Sequence, residues 1–236
     1  MDEREQASGL PDLGPDVYAR WRASKLGAAT ERIERELILE LAGDVMGRDV
    51  LDVGCGDGEL ALALADKGAN VTGIDSSSAM IEAARIRARR HEMNITFEIA
   101  RAEHLPFPAE RFDVVAAVTI LCFEQNAEAV FKEVSRVLRP GGLFVIGELG
   151  KWSTWALQRR VRALMGSKLW RYGRFRTARE LSYLAKKAGL RVQTVRGAIF
   201  YPRISAAARL LAPLDSSLGR IGTFGAGFVA LAAKKP

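Results

Sequence analysis

The sequence predicts an α/β protein: an open, doubly wound, mostly parallel sheet of seven strands whose last strand runs antiparallel. Three observations predict it. Short apolar runs alternate with segments of helical apolar spacing, an alternation that implies parallel strands joined by right-handed crossovers. The stretch VLDVGCGDGEL at 50–60 sets an apolar run against an acid and then places Gly54, Gly56 and Gly58 at every second position. The last two apolar runs are joined by about 20 residues that include Pro202 and Pro213, which favours an antiparallel return over a full crossover.

Each element has a local cause. In ATERIERELILELAG, Ile33, Leu37, Ile38 and Leu41 recur at helical spacing. RDVLDV at 48–53 is a short buried strand, and ELALALADKG a helix closed by Gly68. NVTGID is the second strand, followed by the helix SSAMIEAARIRARRH, and NITFEIA is the third. The loop LPFPAERFD leads to VVAAVTIL, the fourth. The helix NAEAVFKEVSRVL stops at RPGG, where Pro140 and two glycines cannot continue it, and LFVIGEL is the fifth strand. Thr177 and Glu180 form a capping box for the helix ARELSYLAKKAG. LRVQTVRGAIF and TFGAGFVALAAKK supply the sixth and seventh strands.

Composition bounds the class. The 236 residues are 48% hydrophobic and 27% charged, ordinary for a globular chain that forms one domain over 1–236. The polar leader MDEREQASGLPDLGPD does not read as a signal peptide. Cys55 and Cys122 lack the neighbours of a metal site or a disulfide framework, so the expectation is a reducing cytoplasm and no metal. Charge is uneven: residues 151–236 hold 18 Lys or Arg and two acids, against a whole-chain net of +7. Residues 151–176 alone carry eight cations, no acid, and Trp152, Trp155, Trp170, Tyr172 and Phe175. There Leu157, Val161, Leu164 and Met165 form an apolar stripe, expected to dock on the domain, opposite Arg159 and Arg162. This basic helical insert after the fifth strand has three readings: a cover that attracts an anionic acceptor, a peripheral contact with an anionic membrane, or an RNA contact. Its place after the strand's carboxyl end favours the first; no nucleic-acid module is present, so nucleic acid ranks last.

Ligands of such sheets bind beyond the strands' carboxyl ends, where Asp52, Asp75, Ala102 and Thr119 fall. A dinucleotide fingerprint requires a third glycine three positions after Gly56, where Glu59 stands. The glycines instead read G-x-G-x-G after Asp52. Asp75 ends the second strand, where a carboxylate accepts from ribose hydroxyls; its alternative use is as a helix N-cap.

Four ordered motifs, VLDVGCGDG, GIDSSSAM, AEHLPFPAERFDVV and EVSRVLRPGG, resemble the class I S-adenosylmethionine-dependent methyltransferases, especially the ubiquinone and menaquinone C-methyltransferase branch, over about residues 15–150. The resemblance implies a Rossmann-like fold with S-adenosylmethionine as cofactor. It implies that Gly54, Cys55 and Gly56 lie along the methionine part, that Asp52 orients the amino group and that Asp75 holds the ribose. Ser76 and Met80 then sit near the adenine, Ala102 and Glu103 at its edge, and Val118 and Thr119 near the sulfonium. Two positions depart from the family: Arg101 replaces an acid before the Ala-Glu pair, and Cys122 and Phe123 stand where relatives carry histidines. The leader, residues 1–30, is expected over the cofactor cleft with Tyr18 and Trp21 as contacts. Residues 151–176 and 200–222 are expected to be acceptor-side insertions, with Phe123, Arg159 and Arg162 as contacts. The implied activity is methyl transfer by in-line displacement to a small or lipid-like acceptor, and the basic insert adds room for an anionic part on it. The competing reading is a non-catalytic cofactor-binding protein that recruits a partner through its basic C-terminal part.

Overall fold

The computed structural model describes residues 14–124 and 126–236. The apolar runs become seven strands: β1 (Asp49–Val53), β2 (Asn70–Asp75), β3 (Thr96–Ile99), β4 (Phe112–Val118), β5 (Leu138–Leu149), β6 (Arg191–Ala198) and β7 (Phe228–Lys234). They lie in one sheet in the order β3-β2-β1-β4-β5-β7-β6. Strands β1 to β5 pair in parallel, and β7 runs antiparallel between β5 and β6. Strand order reverses between β1 and β4, so the crevice at their carboxyl ends is the ligand position of this topology.

The helices are α1 (Pro15–Ala23), α2 (Lys25–Ala42), α3 (Glu59–Asp66), α4 (Ser78–Arg90), α5 (Ala127–Val137), α6 (Thr154–Leu164), α7 (Lys168–Arg171), α8 (Ala178–Lys187) and α9 (Ser205–Ile221). Val114 and Val115 on β4 are buried on opposite faces of the pleat. One face is covered by Phe131 and Val134 of α5 with Leu181 and Leu184 of α8. Ile38 of α2, Leu64 of α3 and Ile81 of α4 cover the other. The capping box is present: Thr177 Oγ1 accepts from the Glu180 backbone N–H at 3.1 Å, and Glu180 Oε2 accepts from the Thr177 N–H at 2.7 Å.

The structure departs from the sequence reading at four places. Residues 1–13 of the expected leader lie outside the described residues, and from Pro15 the leader is helical. The corner between α1 and α2 is tight because Gly27 lacks a Cβ, which would stand 1.9 Å from the Trp21 carbonyl oxygen. Strand β5 starts at Leu138 rather than after RPGG, since Gly141 and Gly142 exchange hydrogen bonds with Lys235 beyond β7. The β6–β7 connection is a 17-residue helix despite Pro213. Finally, the stripe of the insert faces outward: Leu157, Val161, Leu164 and Met165 are exposed, Leu164 at 88%, whereas Trp155 and Ala156 of the same helix are buried.

Tertiary contacts hold α9 where propensity does not. A Cβ on Gly219 would lie 2.0 Å from the Gly197 carbonyl oxygen, so helix and edge strand touch backbone to backbone. Asp215, 2% exposed, accepts from the Ile199 and Phe200 N–H groups, both at 2.8 Å. It fixes a turn in which Ile199, a β-branched residue, takes φ +64°. Replacing Asp215 by Ala strands two buried N–H groups, and urea denaturation should show a loss of about 2–4 kcal/mol. A loss below about 0.5 kcal/mol would mean that the turn does not depend on it.

Candidate functional site

The glycine loop is shaped by backbone geometry. Gly54, Gly56 and Gly58 all have positive φ, at +70°, +53° and +85°, a region that side chains disfavour. A Cβ on Gly54 would meet Ile120 at 2.2 Å, and one on Gly58 would press on Ala84 at 3.1 Å, where α3 begins against α4. Gly56 differs: nothing lies within 4 Å of its missing side chain, so its backbone borders open space. The Cys55 N–H donates to Ile74 O at 2.8 Å, and burial pushes its thiol well above the ordinary range. Cys55 therefore contributes backbone to the cleft and a protonated side chain to the core.

Two carboxyl groups flank this loop. Asp75 Oδ2 accepts from the Gly56 N–H at 3.0 Å and Oδ1 from the Ser77 N–H at 2.9 Å. The N-cap of α4 is Ser77, which accepts from the Met80 N–H, so the capping alternative for Asp75 is not realised. Asp52 is 1% exposed. Burial, then the neighbouring Asp75, push its carboxyl up to about 7 against a favourable Ala61 N–H. Its Oδ2 is buried without a partner. Ser76 is exposed at the rim and Met80 buried below it. Ala102 and Glu103 lie in the turn after β3, where Arg101 pairs with Glu103. Partial burial raises the Glu103 carboxyl, but the hydrogen bond and charge of Arg101, its own backbone N–H and a hydrogen bond with Glu124 together outweigh burial and hold the group below its ordinary value.

At the end of β4, half-buried Val118 precedes Thr119, whose φ of +54° is an outlier for a β-branched residue. Its N–H donates to Gly147 O at 2.7 Å, and its carbonyl accepts from Cys122 Sγ at 2.9 Å. Burial, then Glu148, push the Cys122 thiol far above its ordinary range, so it is a protonated packing group, not a nucleophile. His91 and His104 are exposed.

Sequence reasoning missed Asp57 and Glu148. Asp57, 7% exposed, receives both terminal nitrogens of Arg22 from α1 and Nη2 of Arg87 from α4. Arg87 continues to Glu59 at 2.8 Å, and Glu59 to Arg35 of α2 at 2.7 Å. The signal was present in GCGDG but is indistinguishable there from a turn aspartate. The pinned α1 brings Tyr18 to the cleft: burial, then Cys122 and Asp75, push its phenol well above the ordinary range. Trp21 packs edge-to-face on Trp155, centroids 6.1 Å apart, and Phe123 lies 6.2 Å from Trp170. Arg159 points inward between Trp155 and Trp170, while Arg162 is exposed, near enough for its charge to act on Arg159 and Arg203. Both corrections to the insert share a cause: the large ring of Trp155 takes the interior and, with half-buried Trp170, encloses Arg159. A groove of about 590 Å³ between α2, β6 and α9 contains none of the glycine-loop residues.

Glu148, fully buried at the end of β5, accepts from the Leu121 N–H at 2.7 Å and so holds the turn after β4. Burial lifts its carboxyl from 4.5 to about 8, against Leu121 and Arg176. A folded pKa above the unfolded one contributes stability that is full below about pH 4.5 and lost as pH rises through about 8. Glu148→Gln keeps an acceptor for Leu121 without a charge. Its stability relative to the parent should therefore increase by about 1–3 kcal/mol between about pH 5 and pH 8.5; a difference that stays flat would contradict the assignment.

Comparison with known proteins gives the family. Residues 51–146 match the family described as "Methyltransferase domain". The chain is 30% identical over 175 residues to the ubiquinone biosynthesis O-methyltransferase of Coxiella burnetii, covering 72% of each chain. It is 39% identical over 114 residues to the demethylmenaquinone methyltransferase of Tropheryma whipplei, covering 48% of this chain and 47% of that one. A SAM-dependent methyltransferase from Thermotoga maritima shares the fold at TM-score 0.72 and 24% identity, covering 94% of this chain and 96% of that one. So does the geranyl diphosphate C-methyltransferase of Streptomyces coelicolor A3(2), solved with Mg2+, geranyl diphosphate and S-adenosyl-L-homocysteine, at TM-score 0.67, 17% identity and 98% and 88% coverage. The cofactor is S-adenosylmethionine, and the chain belongs to the class I S-adenosylmethionine-dependent methyltransferases.

Proposed function

We propose that this methyltransferase acts on a small, lipid-like acceptor in the aromatic region between α1 and the turn after β4. The observation that carries the cofactor's placement is the buried, partnerless Oδ2 of Asp52 beside an Asp75 already oriented by two backbone N–H groups. An ammonium group is what that oxygen lacks: it donates to Oδ2 and supplies the counter-charge that favours ionised Asp52. Asp75 keeps free lone pairs for two ribose hydroxyls. Gly54 and Gly56 let the backbone approach the ligand, Ser76 and Met80 flank the adenine with Ala102 and Glu103, and Val118 and Thr119 border the transferred group.

When bound, the cofactor supplies a methyl group already activated by the sulfonium charge. The chain's contribution is then alignment and exclusion of water. Tyr18 and Trp21 of α1 close the cleft from above, and Phe123 with Trp170 close it beside Cys122. No residue is assigned as a base: the high phenol of Tyr18 and thiol of Cys122 keep their protons near neutrality. The names of the quinone-pathway relatives support a lipid-like acceptor. Under the competing reading, cofactor retention without transfer, the aromatic region beyond Thr119 has no use.

Calorimetry tests the cofactor assignment. S-adenosylhomocysteine should bind, and Asp75→Ala should weaken it by about 1–3 kcal/mol, the scale of hydrogen bonds lost from a charged group. Unchanged binding by the variant, or tighter binding of NAD by the parent, would overturn it.

A further inference from the structure

Lys151 of the insert pairs with Glu180 at 2.8 Å, but three guanidinium groups around the insert are matched by rings. The Arg203 guanidinium lies 5.0 Å from the Trp21 ring centroid and 5.6 Å from that of Trp155. Arg159 lies 5.4 Å from Trp155 and 4.8 Å from Trp170. Trp170 stacks on Phe175 at 6.2 Å, and Arg160 lies 5.5 Å from Phe175 and 5.9 Å from Trp152. A ladder results, from α1 through the insert: Trp21, Arg203, Trp155, Arg159, Trp170, Phe175, Arg160, Trp152. Ring faces attract guanidinium groups without neutralising them, so the ladder holds its positive charge in place.

Arg159 is its middle rung. Its Nε and Nη1 are buried with no hydrogen-bond partner, and the described residues offer it no ion pair within 4 Å. Burial lowers its pKa only to about 10, which leaves it charged near neutrality. Glu34, the acid that acts on it, is pushed up to about 8 by its own burial and is mostly protonated there. Arg176 carries a buried, unpartnered Nε as well. Both guanidinium groups act on the Cys122 thiol, in the turn that follows Thr119. Leaving charged N–H groups buried without an acceptor is costly, and here two such residues face one turn beside the methyl-transfer end of the cleft. Glu148, its carboxyl protonated near neutrality, does not repel an anion there.

We propose that Arg159, supported by Arg176, binds an oxyanion, carboxylate or phosphate, carried by the methyl acceptor. This deepens the reading of the cleft as an acceptor site and rests on it. The guanidinium fixes the anionic group while the Trp155 and Trp170 rings hold the guanidinium plane, so an acceptor with one apolar and one anionic part is oriented toward Thr119.

The test uses protein saturated with S-adenosylhomocysteine, titrated separately with benzoate, inorganic pyrophosphate and neutral benzyl alcohol, and read by tryptophan fluorescence and calorimetry. At least one anion should bind, about tenfold or more tighter than benzyl alcohol; which one binds separates a carboxylate from a phosphate source. Arg159→Gln should lower that affinity about tenfold or more, with S-adenosylhomocysteine affinity held within about twofold. Should Arg159→Gln lose the cofactor through misfolding, Arg159→Lys decides: an ammonium cannot reproduce the planar guanidinium held between two rings, so weaker anion binding with cofactor binding intact supports the site, and unchanged anion affinity overturns it. Absence of anion binding, equal binding of benzyl alcohol, or anion affinity unchanged in Arg159→Gln overturns the proposal. Failure of the parent to bind S-adenosylhomocysteine overturns the cofactor reading instead.

Discussion

One acid, Asp57, joins the parts that make the cleft. It sits between Gly56 and Gly58 and receives Arg22 from α1 and Arg87 from α4. A buried ion pair adds little over well-packed apolar residues, yet removing one partner costs about 3–5 kcal/mol because it strands a charge. The network therefore specifies more than it stabilises: it sets where α1 lies relative to the glycine loop. From that placement follow the approach of Tyr18 to Asp75 and Cys122, both of which act on its phenol, the contact of Trp21 with Trp155, and hence the start of the ladder that organises the insert.

The polar atoms left over tell the same story from the other side. Among the described residues, buried side-chain oxygens and nitrogens without a partner belong to Asp52, Glu148, Gln158, Arg159 and Arg176. Asp52 and Glu148 end strands, and the other three follow β5 on the chain. Buried polar groups are nearly always paired, and this set is confined to the carboxyl ends of two strands and the segment after β5, where the proposed cofactor and acceptor sites lie. Thr119, held at φ +54° between them, adds the kind of backbone outlier that collects at functional positions.

The sheet was legible because its signals are local. Period and punctuation placed all seven strands, and the short, proline-bearing last connection correctly implied an antiparallel β7. The helix α9 was not legible, since Pro213 argues against it and its anchors, Asp215 on the Ile199 turn and Gly219 on Gly197, are tertiary. The direction of α6 was misread for a related reason. Amphipathic spacing identified a face correctly but gave it the wrong sense: Trp155 and Trp170 bury more surface than the aliphatic stripe, and cation–π contacts make Arg159 acceptable inside. Asp52, Gly54, Gly56 and Asp75 were legible through their order along the chain. Asp57 and Glu148 were not, because an acid in a turn and an acid at a strand end acquire their partners only when the chain folds.

The central claim is that the partnerless Asp52 oxygen and the doubly anchored Asp75 are two ends of one cofactor seat closed by α1. The most direct measurement is a crystal structure of the complex with S-adenosylhomocysteine. The account predicts the ligand's amino nitrogen within hydrogen-bond distance of Asp52 Oδ2, its ribose hydroxyls on Asp75, and its sulfur directed at Thr119 beneath Tyr18. A ligand whose amino group lies away from Asp52, or whose ribose does not touch Asp75, would contradict it.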